Sequence, residues 1–116
     1  MAKRVATDQE KQTQVDKMQV LQKEYSNLIS SKSKLASQAN ENDLVLKELL
    51  LNPINTFKLT GPVLLKIDTQ EAIANVRKRL AFINGEIARL DVNIKDQDAK
   101  VEAQKAMLIR MQDQPE

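Results

Sequence analysis

From Ile73 to Met111 the sequence returns to one side of a helix at alternating steps of three and four, through Ile73, Val76, Leu80, Ile83, Ile87, Leu90, Ile94, Gln97, Val101, Gln104, Leu108 and Met111. Ten of those twelve positions are apolar. A seam sustained beyond three or four heptads commits a segment to a helix that must bury one narrow stripe against another helix. The first half of the chain supplies a matching seam in Met18, Leu21, Tyr25, Leu28, Lys32, Leu35, Ala39, Asn42, Leu46 and Leu49, where Lys32 and Asn42 are the two polar members. A globular alternative is disfavoured by composition. Each buried aromatic ring of a compact core covers roughly 150–250 Å², yet aromatic residues make up 3% of this chain, namely Tyr25, Phe57 and Phe82. The fold class is therefore mainly α, an antiparallel two-helix coiled coil within a single unit spanning residues 1–116.

The two helical patterns are separated by a short insert. Pro53 lacks a backbone donor and disfavours helix at Asn52, so the first helix is expected over residues 8–51. A loop and β-hairpin are expected over 52–68. Thr56-Phe57-Lys58-Leu59 and Val63-Leu64-Leu65-Lys66-Ile67 read as strands around Thr60-Gly61-Pro62, with Phe57, Leu59, Val63, Leu65 and Ile67 at alternating positions. Asp68 and Glu71 resemble a capping box, which places the start of the second helix near Thr69 and its span at 69–112. A two-stranded hairpin is marginal in water and its edges recruit other strands. These five apolar residues are accordingly expected to assemble the chain into a β platform shared with other subunits.

One antiparallel register satisfies both seams. With Leu49 opposite Ile73, Leu46 meets Val76, Ala39 meets Ile83, Leu35 meets Ile87, Leu28 meets Ile94 and Leu21 meets Val101, every a position meeting a d. The same register brings Asp43 near Arg77. Towards the chain termini the apolar match fails, because Leu108 would face Gln14 and Met111 would face Lys11. The seam is expected to fray there and to leave Val5, Val15, Met18, Met107, Leu108, Ile109 and Met111 as an adaptable apolar tip, since unbranched methionine suits surfaces that accept varied partners.

Several chemistries are excluded or disfavoured. The chain has no Cys and no His, which removes the thiol nucleophile, the zinc ribbon and the commonest general base. Gly61 and Gly85 are isolated, so no phosphate-cradling glycine loop exists. No enzyme activity, cofactor or metal is expected. Apolar runs such as Leu49-Leu50-Leu51 are far shorter than the roughly 20 residues of a membrane span. The basic start Met1-Ala2-Lys3-Arg4 runs into Asp8, Gln9, Glu10 and Lys11 rather than an apolar segment, so no targeting signal is read and a cytoplasmic location is expected. Charge is mixed, with 18 basic and 16 acidic residues. Arg77-Lys78-Arg79 is the one basic cluster, and successive helical residues point in different directions, so no nucleic-acid partner is expected.

The runs Glu41-Asn42-Asp43-Leu44-Val45-Leu46-Lys47-Glu48-Leu49, Phe57-Lys58-Leu59-Thr60-Gly61-Pro62-Val63-Leu64-Leu65-Lys66 and Val76-Arg77-Lys78-Arg79-Leu80-Ala81-Phe82-Ile83 resemble the β-class subunits of prefoldin over nearly the whole chain. Ile67, where Gln is expected, and Gly85 inside the second helix are small departures. The resemblance implies a heterohexamer of α-class and β-class subunits whose hairpins join in a double β-barrel. It further implies that coiled-coil tips hold non-native chains such as actin and tubulin and deliver them, without ATP, to the cytosolic group II chaperonin. Two other classes remain open: a coiled-coil scaffold or tether without chaperone activity, which needs no hairpin, and a nucleic-acid binder built on Arg77–Arg79.

Overall fold

The computed structural model describes residues 6–51 and 62–112, with side chains in the second stretch described from Asp68 onward. Two long helices account for them: α1, Asp8–Leu51, and α2, Pro62–Gln112. No described helix is long and apolar enough to cross a membrane.

The start of α1 is fixed by a threonine cap. Thr7 precedes the helix, its Oγ1 accepts from the Glu10 N–H at 3.1 Å, and its carbonyl accepts from the Lys11 N–H at 2.9 Å. Thr7-Asp8-Gln9-Glu10 is the Ser/Thr-x-x-Glu pattern that satisfies first-turn donors. Asp8 and Glu10 also place negative charge where the helix dipole is positive. At the other end, Leu51 is the last described residue of α1.

The second helix differs from expectation. It begins at Pro62 rather than near Thr69, so Val63–Ile67, read from sequence as the second strand, form its first turns. The physical reason lies in the backbone. A helix satisfies its N–H and C=O groups within the segment, whereas a hairpin strand at an unpaired edge does not. Pro62 suits the first helical position, where its missing donor costs nothing. Asp68 and Glu71 consequently lie inside α2 and cap no terminus. The expected first strand, with Phe57 and Leu59, and the turn Thr60-Gly61 lie outside the described residues.

The chain divides into two compact units, one comprising Met1–Ser31 with Leu90–Glu116 and the other Lys32–Arg89. In the Lys32–Arg89 unit the most covered side chains are Thr69, Val76 and Ile83, each 7% exposed, and they recur every seven residues along one line of α2. Leu35, Ala39, Asn42, Leu46 and Leu49 of α1 and Ile73, Leu80 and Ile87 of α2 are half-buried. Asn42, a polar member of this seam, donates its Nδ2 to the Gln38 carbonyl one turn back at 2.7 Å, which satisfies it within its own helix. Asp43 pairs with Lys47, an i, i+4 neighbour on the same helix, at 3.2 Å.

Candidate functional site

The chemistry of the chain is concentrated in the unit built from the N-terminal part of α1 and the C-terminal part of α2. Leu21, Tyr25, Leu28, Leu90, Ile94 and Val101 are half-buried along the seam. Two of the most covered side chains in this unit are polar: Gln97 and Gln104 are each 6% exposed. In sequence they interrupt an aliphatic seam. In the structure they join the helices.

The Gln97 Nε2 donates to the Leu21 carbonyl at 3.0 Å and to Glu24 Oε2 at 3.1 Å. Seven residues further on, the Gln104 Nε2 donates to the Gln14 carbonyl and to Gln14 Oε1, both at 2.9 Å. A primary amide has two N–H donors, and both are used in each case. Moving forward seven residues on α2 and back seven on α1 reproduces the joint, so the helices run antiparallel in this unit with a heptad repeat. Burial without these bonds would be costly, and among the described residues no buried side-chain nitrogen or oxygen lacks a partner.

The joints alter the expected tip. Gln104 and Gln14 carry the pairing past the point where apolar matching stops, and Met18, Leu108, Met111, Lys11 and Gln14 are all half-buried. The Gln104–Gln14 joint carries the helix pairing as far as Gln14. Of the seven residues expected at the tip, Met18, Leu108 and Met111 belong to the seam, and Val5 lies outside the described residues. Val15, Met107 and Ile109 are exposed, at 37%, 39% and 50%.

Two of the concave sites among the described residues lie on this unit. One, of about 380 Å³, is lined by Glu10, Thr13, Gln14, Met107 and Met111. The other, of about 470 Å³, has Glu24, Asn27 and Ser31 on α1 facing Asn93, Asp96 and Lys100 on α2, with Leu28 and Gln97 also in its lining. Sequence reasoning placed Gln14 only as a mismatch opposite Leu108 and missed Glu10, Thr13, Glu24 and the polar groove; Glu24 could have been found by reading the positions beside the seam. The residues expected to form the assembly hairpin have no described side chains. Phe57 and Leu59 are outside the described residues, and Val63, Leu65 and Ile67 lie in α2 with no side-chain placement. Among the described residues no group of three or more acidic side chains is arranged to hold a metal ion.

The fold and its paired seams define a two-helix antiparallel coiled-coil protein. A family model described as Prefoldin subunit matches residues 12–114. The chain belongs to the prefoldin subunit family. It is 43% identical over 103 residues to prefoldin subunit 6 of Mus musculus, covering 87% of this chain and 81% of the relative. The human prefoldin subunit 6 is likewise 43% identical, over 87% of this chain and 80% of its own length. That of Saccharomyces cerevisiae is 40% identical, over 82% of this chain and 85% of the relative. No solved structure matches the chain significantly.

Proposed function

We propose that this chain is an ATP-independent cochaperone subunit that captures non-native polypeptides, such as actin and tubulin, at the end of the coiled coil carrying its termini. It delivers them to a cytosolic group II chaperonin and acts in the cytoplasm within a heterohexamer of α-class and β-class prefoldin subunits. The observation that carries client capture is the apolar surface beside the last joint: Met107 and Ile109 are exposed, Val15 is exposed on the facing helix, and Met107 and Met111 line a concavity. Such a surface binds weakly by itself. Several similar ends in one complex would raise the effective concentration enough to retain a client without nucleotide-driven closure.

Assembly is assigned to residues 56–67. The helix at Val63–Ile67 and the strand pattern of the same residues represent two states of one segment, with strand pairing favoured when edges of neighbouring subunits offer hydrogen-bond partners. Support comes from the adjoining end of α1, where Leu44, Leu50 and Leu51 are 59%, 51% and 78% exposed. Covering that much apolar surface would favour association.

The test replaces Met107 and Ile109 with Ser and leaves the seam residues Leu108 and Met111 untouched, so that helix pairing is preserved. Assembled complexes carrying the variant are expected to suppress aggregation of a denatured client less well at limiting concentration, and to crosslink less through this subunit. Equal suppression and equal crosslinking would refute client capture at this end.

A further inference from the structure

We propose that one flank of the unit formed by residues 8–31 and 90–112 is a track for an extended polypeptide segment that carries a large apolar side chain and, about six residues away, a lysine or arginine. This proposal rests on the chaperone reading above and deepens it, from an apolar end to an oriented binding surface. With Met18 as position a, Glu10, Lys17, Glu24 and Ser31 are g positions of α1; with Ile94 as position a, Asn93, Lys100 and Met107 are g positions of α2. In an antiparallel pair the g positions of both helices border the same side of the seam. The two concave sites therefore open on one flank, the methionine-lined one at Glu10 and Met107 and the polar one at Glu24, Ser31, Asn93 and Lys100. Between them on α1 lie the c position Val20, 56% exposed and apolar, and the g position Lys17.

Distance and charge select the occupant. Thr13 and Asn27 mark the two sites on α1, and fourteen residues of helix rise about 21 Å at 1.5 Å per residue. An extended chain covers that distance in about six residues at roughly 3.3 Å each. Met107 and Met111, one turn apart, provide a deformable apolar seat at one end. At the other end Glu24 and Asp96 approach from opposite helices, against the single cation Lys100 in that lining. The balance favours a basic side chain, while Asn27 and Asn93 offer both donors and acceptors to a peptide backbone. A polyanion such as nucleic acid would meet carboxylates at both sites.

The probe is a synthetic twelve-residue peptide with one Leu and one Lys six residues apart and a photoreactive group beside the Lys, offered to the assembled complex containing the full chain. Adducts are expected on residues 24–31 or 93–100 of this chain. The variant carrying Glu24→Gln and Asp96→Asn removes both charges while keeping an oxygen at position 24 that can accept from Gln97; its helical content and melting are checked by circular dichroism. It should bind the peptide about threefold to tenfold more weakly at low salt. Replacing the peptide Lys with Gln should abolish the difference, and shortening the Leu–Lys spacing to two residues should abolish the adducts. Adducts elsewhere, equal binding by the double variant, or indifference to spacing would each overturn the track. If those results appear while the complex still suppresses client aggregation, only the track is refuted; if suppression is also absent, the chaperone reading falls with it.

Discussion

Replacing Gln97 with Ala tests whether the polar joints hold the helices together. The side chain is 6% exposed and donates to one neutral carbonyl and one carboxylate. A neutral hydrogen bond contributes about 0.5–1.5 kcal/mol net and one to a charged group about 1.5–3 kcal/mol. The joint lies at the edge of a narrow seam, so the lower ends apply and sum to about 2 kcal/mol. Other changes largely cancel: the lost methylene contact costs about 0.8 kcal/mol, while release of the glutamine rotamers and the helix preference of Ala offset it. The Leu21 carbonyl is not orphaned, because it retains the position of an intrahelical acceptor, and Glu24 can turn to water. Gln104→Ala removes two bonds to neutral acceptors and should cost less, about 1–1.5 kcal/mol. Leu at either position exchanges hydrogen bonds for apolar burial and should stay within about 1 kcal/mol of the natural chain.

Thermal and urea unfolding of the full chain, followed by circular dichroism, measures these differences. At about 4 °C per kcal/mol for a domain of this size, Gln97→Ala should lower Tm by about 8 °C. A Gln97→Ala melt within about 2 °C of the natural chain would mean the amide is already solvated. A larger loss for Gln104→Ala than for Gln97→Ala would show that the Glu24 carboxylate contributes nothing.

Gly85→Ala should stabilise the chain by about 0.5–1 kcal/mol, since Gly85 lies inside α2 and an added Cβ would meet nothing within 4 Å; a lower denaturation midpoint would contradict this. Replacing Leu59 and Val63 together with Asp should prevent co-purification with partner subunits, because the proposed intersubunit sheet would bury unpaired charge. Recovery of the variant at natural stoichiometry by native mass spectrometry would refute the assembly role of that segment.

The pairing seam was legible in the sequence because a helix repeats its geometry, so spacing alone identifies the side chains that share a face. Each residue from Met18 to Leu49 and from Ile73 to Met111 that the three-four spacing selects is half-buried or buried. Spacing could not show how far the pairing runs. Gln14, Gln97 and Gln104 look like defects in an apolar pattern, and they became joints only because antiparallel packing brought a carbonyl and a side-chain oxygen within 3.1 Å of each Gln97 and Gln104 amide. The two grooves were illegible for a related reason: their walls come from residues about sixty to one hundred positions apart, joined only by tertiary packing. Val63–Ile67 mark the boundary between the two levels. Five residues with period-two apolarity suit a strand when a neighbouring edge accepts their hydrogen bonds, but they form the first turns of α2 where the backbone must satisfy itself. Local pattern determined which faces could be buried, whereas hydrogen-bond partners distant in the chain decided which polar residues could be buried with them.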